Sequence, residues 1–197
     1  MIFRHGHQSD LPEVYEICHG TGYLGQDASE VVSDRRLLGH YFAAPYLVHA
    51  PRWCWVACDE NGVAGYLVTA PDSREFADWM NREWLPAVRQ KVAQEPGSPV
   101  SEFETWLRNL IHQPMPVPDF ADDYPGHLHI DFLPRAQGQG LGPRAFALFA
   151  DQAKRAGLKG FHLGVGAENL RARRFYSQAG LEVLREDTGV IYLGKRL

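Results

Sequence analysis

Nothing in this 197-residue chain approaches the roughly 20 consecutive apolar residues that a membrane-spanning helix needs. The opening residues, MIFRHGHQSD, lack the apolar run of a secretory leader, so the expected location is cytoplasmic. Cysteine is scarce. Cys18, Cys54 and Cys58 make an odd number with no C-x-x-C spacing, which argues against a disulfide framework and a zinc site. Cys54 and Cys58 lie in an apolar run, where free cysteine behaves as a small hydrophobe. No internal repeat, nucleic-acid motif or membrane anchor is visible.

What is present suits one globular domain over residues 1–197. Hydrophobic residues make up 45% and charged residues 22%. The net charge of −4 hides an asymmetry. Residues 1–134 carry nine Lys/Arg against nineteen Asp/Glu, and residues 135–197 carry eleven against five. A basic C-terminal region attracts polyanions, and an acidic remainder suits a cationic acceptor. Solvated helix faces account for the same numbers.

The pattern along the chain is mixed. After a short strand at IFRHG, Asp10 and Glu13 have capping-box spacing, with Pro12 tolerated in the first turn of a helix running to about His19. A second helix is expected within Ser29–Phe42, then a loop bracketed by Pro45 and Pro51. Trp53–Ala70 reads as a hairpin around Asn61-Gly62. Residues 71–125 form a helical and Pro-rich segment, with Pro86 expected to kink or divide one helix and Ser101/Glu104 to box another. Trp79, Trp84 and Trp106 have helical spacing, which favours a core over a groove wall. Strands and helices then alternate: His127–Leu133, Gly140–Ala156, a strand ending near Val165, Glu168–Ala179, and two closing strands. That rhythm predicts an α/β sheet.

The strongest local signal is DFLPRAQGQGLGPRAF, Asp131–Phe146. Gly138, Gly140 and Gly142 stand at a strand-to-helix turn. A helix N-terminus offers unpaired N–H groups and partial positive charge, and glycine lets an anion approach the backbone. The turn therefore reads as a pyrophosphate cradle. A P-loop needs Lys and Ser/Thr where Pro143 and Arg144 stand. A dinucleotide fingerprint needs G-x-G-x-x-G, which is absent here. Gln137, Gly140 and Gly142 match a third pattern, Q/R-x-x-G-x-G/A.

With that motif, and with NLRARRFYSQAGL beginning 27 residues after Gly142, the chain resembles the GCN5-related N-acetyltransferases. Asn169, Ala172, Phe175, Tyr176 and Gly180 carry the second match. VYEICHG, the Trp-rich middle, HIDFLP and VIYLGKRL further resemble the acetyltransferase-like domain of O-GlcNAcases, a group understood to lack a working acetyl-CoA site. The glycine cradle retained here points to cofactor binding.

The resemblance implies a mixed central sheet with two splayed strands and flanking helices, and a helical insertion, residues 71–125, between the third and fourth strands. It implies acetyl-CoA as acetyl donor, held by the backbone of Phe132 and Leu133, by Gln137, Gly138, Gln139, Gly140, Leu141 and Gly142, and by Asn169. Arg171, Arg173 and Arg174 become candidates for the 3′-phosphate. Tyr176 is the expected general acid. Asp131 shares a strand face with His127 and His129 and is the candidate base, because a carboxylate on a central strand needs a partner or a cleft. The H-x-H pair lacks a third ligand, so no metal is expected. The implied activity is acetyl transfer to a primary amine, small molecule or protein lysine, by direct attack. The rival reading is an inactive module that binds acetyl-CoA or a partner. The acceptor is not legible, and a homodimer stays open.

Overall fold

Strand-forming and helix-forming stretches alternate to build a single seven-stranded sheet between two helical layers. The computed structural model describes residues 1–94 and 97–197. In chain order the main elements are β1 (Ile2–His5), α1 (Leu11–Thr21), α2 (Leu37–Phe42), α3 (Ala44–His49), β2 (Trp55–Asp59), β3 (Gly62–Ala70), α4 (Ser73–Trp79), α5 (Leu85–Gln94) and α6 (Glu102–His112). They continue as β4 (Gly126–Phe132), α7 (Leu141–Arg155), β5 (Gly160–Gly166), α8 (Leu170–Gln178), β6 (Glu182–Asp187) and β7 (Val190–Arg196). The strand order is β1-β2-β3-β4-β5-β7-β6. Every pairing is antiparallel except β4 with β5.

Strand alternation sends Tyr66, Val68 and Ala70 of β3 to the face covered by α1 to α6. Leu67 of β3 and Leu128 of β4 point to the other face, where Ala145, Phe146 and Phe149 of α7 and Tyr176 of α8 pack. Phe149 and Phe161 are fully buried and meet edge to face, with ring centroids 4.9 Å apart.

The one parallel pairing is short. β4 and β5 are in register only at Gly126↔Phe161 and His127↔His162. Beyond these pairs β4 stays with β3 as far as Gly65↔Phe132, and β5 stays with β7 as far as Gly166↔Val190. The sheet is thus two half-sheets joined at the base and parted above it. At the join, His127 and His162 stack with centroids 5.6 Å apart.

Several local expectations meet a different outcome. Asp10 precedes α1 but makes no side-chain cap; its carboxylate takes Arg4 at 2.6 and 2.7 Å and the His7 N–H instead. The helix expected within Ser29–Phe42 is present as Leu37–Phe42; Asp27 and Asp34 hold the segment before it in turns through Ser29 N and Arg36 N. Pro45 does not mark a loop. It sits in the first turn of α3, where a missing N–H costs nothing. Pro86 likewise stands in the first turn of α5, after a π-helical turn at Met80–Trp84 that breaks the run as foreseen.

A buried carboxylate is one of several ties between the segment carrying α4 to α6 and the rest, beside the Trp84–His40 and Ser101–Val31 bonds. Ser101 caps α6 through the Glu104 N–H, at 3.0 Å. The Glu104 side chain does not complete the box. It accepts from Ser33 N at 3.0 Å, Val100 N at 3.2 Å and Arg108 at 2.7 Å, with no exposed surface. Those donors hold its carboxyl below the usual range. Glu104→Ala leaves Arg108 and three polar groups unmatched beside the core. Urea denaturation is expected to show a loss of about 3 kcal/mol at pH 7.

Candidate active site

The strand-to-helix turn is held by its own side chains. Ala136 and Leu141 are buried with Ala57 and Ala64. Arg135 donates to Asp59 at 3.2 Å and to the Val63 carbonyl at 2.9 Å. The Gln139 amide donates to the Arg135 carbonyl at 2.7 Å. Gly138 and Gly140 take positive φ, 73° and 68°, and an added Cβ at either would meet nothing within 4 Å. The N–H groups of Gly138, Gln139 and Gly140 have no main-chain acceptor among the described residues, and those of Leu141 and Gly142 are first-turn donors of α7. Five successive donors without a main-chain partner thus stand at the positive end of a 15-residue helix, with open space beside Gly138 and Gly140. That arrangement fits a diphosphate.

The three glycines do different work. A Cβ at Gly142 would lie 2.8 Å from the Phe175 ring, so this glycine lets α7 and α8 approach each other. Only Gly138 and Gly140 leave room on the outer side.

Beside the turn, β4 presents an unpaired edge. Leu133 N donates to Ala64 O at 2.9 Å, so residues of its parity address β3 and those of Ile130 and Phe132 address the gap. This corrects the expectation for Leu133: its N–H is spent on Ala64, and its carbonyl accepts from Ala136 N at 2.8 Å. Phe132 does face the gap, though its carbonyl accepts from the Gln137 amide at 2.7 Å. Gln137 also receives Arg171 at 2.6 Å, so both ends of its side chain are engaged within the chain. Arg173 caps the Ala167 carbonyl at 2.9 Å, and Arg174 is exposed. Asn169 is the N-cap of α8, accepting from Ala172 N at 3.1 Å.

Asp131 and Tyr176 lie on opposite faces of the sheet, yet the charge of one acts on the other across the gap. Asp131 is half-buried. Its Oδ2 accepts from the Tyr66 hydroxyl at 2.7 Å, and Thr21 at the end of α1 also supports it. Burial outweighs these bonds and raises the carboxyl to about 6. Tyr176 is 8% exposed, and burial together with Asp131 keeps its hydroxyl protonated well above the ordinary phenol range. Cys18, buried next to Tyr66, is also held as a thiol by burial and by Asp131.

The neighbouring histidines are neutral. His129 is pushed down to about 4 by burial and by His162. Both ring nitrogens of His127 are occupied: Nδ1 lies 2.7 Å from Ser73 Oγ and Nε2 2.9 Å from the Tyr46 hydroxyl.

An acetyltransferase (GNAT) family model matches residues 111–181, which takes in β4, the glycine turn and α8. A crystal structure of SsHAT is 31% identical, superposes with a TM-score of 0.89, and aligns over 99% of this chain and 97% of its own. The chain belongs to the GNAT acetyltransferase family. As a GNAT acetyltransferase it shares its fold with more distant members. One is the PaiA N-acetyltransferase of Thermoplasma acidophilum in complex with coenzyme A, with 12% identity, TM-score 0.58, and 100% and 98% of the two chains covered. The O-GlcNAcase of Mus musculus is 23% identical over 199 residues, 95% of this chain and 21% of that protein. The chain therefore spans about a fifth of the curated relatives it matches.

Sequence reasoning did not single out Ile130, which faces the gap, or Tyr66, which meets Asp131. For Ile130 the signal was the two-residue strand period, but its phase follows from the β3 register, which the sequence does not carry. Tyr66 meets Asp131 across 65 positions, with no local pattern to announce it. The raised Asp131 carboxyl has a measurable consequence. It binds a proton more readily folded than unfolded, so its contribution to stability is complete below about pH 4 and is lost as pH rises through about 6. Asp131→Asn is expected to melt with the parent at pH 4 and to be more stable at pH 8, by up to about 3 kcal/mol. Thermal scans across pH 4–8 check this.

Proposed function

We propose that this acetyltransferase binds acetyl-CoA in the gap between β4 and β5 and transfers its acetyl group to a primary amine by direct attack. The observation that carries the reading is the union of an unpaired strand edge with a row of outward N–H donors. The edge at Ile130 and Phe132 suits the amides of a pantetheine arm. The donors from Gly138 to Gly142 suit a diphosphate at the distance such an arm spans. Arg171, at the rim of the turn, suits a further phosphate.

Acetyl-CoA supplies an activated acyl group on a thiol leaving group. Asp131 accepts the proton of the incoming ammonium, directly or through one water, and above about pH 6 it is ionised for that task. Tyr176, kept protonated, donates its hydroxyl hydrogen to the sulfur as it leaves. Tyr66 holds the Asp131 carboxylate in place. A module that only stored the thioester would have no use for a carboxyl group poised near neutrality beside it, which favours turnover over the binding-only reading.

Calorimetry with acetyl-CoA tests the cradle. Gly140→Glu is expected to lose about 100-fold in affinity, because a carboxylate then occupies the anion's place. Gly140→Ala bears the same positive-φ strain without the charge and should lose under about tenfold. Equal affinities in all three proteins would remove the turn from this role. With an accepted amine in hand, Tyr176→Phe should lower kcat roughly 100-fold at unchanged acetyl-CoA affinity. The rate should rise with pH through about 6 in the parent and lose that limb in Asp131→Asn.

A further inference from the structure

The turn between β4 and α7 rests on an irregularity in the hairpin beside it. β2 and β3 pair antiparallel, but their register slips between Ala57 and Cys58, and Ala64 of β3 stands opposite no single residue of β2. The bulged end of the hairpin serves the turn instead. The Ala64 carbonyl accepts from Leu133 N at 2.9 Å, and the neighbouring Val63 carbonyl accepts from Arg135 at 2.9 Å. Ala57 and Ala64 also form the small apolar seat of Ala136 and Leu141.

This seat holds one half of the turn. Gly138, Gln139 and Gly140, which carry the outward N–H groups, follow after it. The Gln139 amide returns to the Arg135 carbonyl at 2.7 Å, so the loop with the open donors hangs on the residue that reaches the hairpin. The Arg135 Nε donates to Asp59 Oδ2 at 3.2 Å, while Asp59 Oδ1 accepts from Asn61 N at 2.9 Å. The Asn61 N–H and then Arg135 hold the Asp59 carboxyl below its ordinary range, so it is ionised at neutral pH. β3 borders β4 on the side away from the gap, so the guanidinium is turned from the strand edge that faces the gap. An ion pair this open to water adds little to the stability of the whole fold. Its effect is local. Gly138 and Gly140 bring the greatest backbone freedom to the turn, and an anion binds more tightly to donors already ordered.

We propose that Arg135 and Asp59 are positioning residues for the diphosphate site: their ion pair clamps the turn to the bulged hairpin and so sets the affinity for a diphosphate that neither side chain touches. The inference rests on the acetyl-CoA reading of the turn. Its sign opposes simple charge arithmetic. Removing a negative charge near an anion site ordinarily strengthens anion binding. Here loss of the Asp59 charge weakens it, because the clamp opens.

The test uses the full chain and three variants. Asp59→Asn keeps an acceptor for Asn61 N and removes the charge. Arg135→Gln removes the cation. Arg135→Lys keeps the cation without the fork that spans Asp59 and the Val63 carbonyl. In calorimetry all three are expected to lose roughly three- to tenfold in affinity for acetyl-CoA. The double variant should lose no more than Arg135→Gln alone. Affinity for S-acetylpantetheine, which has no diphosphate, should stay within about twofold of the parent. Melting temperatures should stay within about 4 °C of the parent. Backbone ¹⁵N relaxation of the ligand-free protein gives a readout that needs no ligand. Order parameters at Gly138–Gly140 should be near about 0.85 in the parent and fall below about 0.6 in Asp59→Asn. Acetyl-CoA affinity in Asp59→Asn equal to or above the parent's, full affinity in Arg135→Lys, an equal loss toward S-acetylpantetheine, or a turn already mobile in the parent would each overturn the clamp. A parent turn that is rigid and loosens in Asp59→Asn, in a protein with no affinity for acetyl-CoA, would support the clamp and sink the acetyl-transfer reading alone.

Discussion

The parting of β4 from β5 is the constraint on which the other features depend. Parallel strands normally continue their ladder, and an open edge in a sheet interior leaves strong donors and acceptors unmatched. Here the ladder stops after two pairs. Each half-sheet is secured by its other neighbour, six residues deep between β3 and β4 and seven between β5 and β7. The gap is therefore stable as an opening. It exposes main-chain amides in the middle of the molecule without unravelling the strand that bears them.

The opening also explains the electrostatics. Asp131 and Tyr176 belong to opposite layers, and a continuous sheet would separate them. Through the gap the carboxyl raises the phenol, and both groups sit in surroundings dry enough to disfavour charge. Tyr66 limits that effect at Asp131 by donating to it. The balance leaves a carboxyl that changes its charge near neutrality, while the phenol, the Cys18 thiol and the histidines nearby stay uncharged. One group titrates within a set of neutral neighbours, which is the condition for a defined proton acceptor.

Much of this was legible in the chain, and the remainder failed for physical reasons. The glycine turn and the order of strands and helices rest on local chemistry, where spacing and residue type suffice. The short helix α3 did not announce itself, because six residues hold too little periodicity to distinguish a helix from a turn. Asp10 and Glu104 have the spacing of capping residues, but stronger partners at Arg4 and at Ser33 and Arg108 draw their side chains away. Whether Leu133 or Ile130 turns its amide to the gap depends on strand parity, which is set by the partner strand. In the glycine motif, residue type alone could not separate the two positions that open space from Gly142, which closes it.

The uneven charge of the chain acquires a spatial meaning from the same gap. Residues 1–134, with nineteen acidic and nine basic side chains, build β1 to β4 and the helical layer α1 to α6. Residues 135–197, with eleven basic and five acidic, build the turn, α7, α8 and the half-sheet beyond the gap. A polyanionic donor and a cationic acceptor would enter such a site from opposite faces, each drawn to the side of opposite sign. Long-range fields of this kind act on encounter more than on bound affinity, and they fade as salt rises.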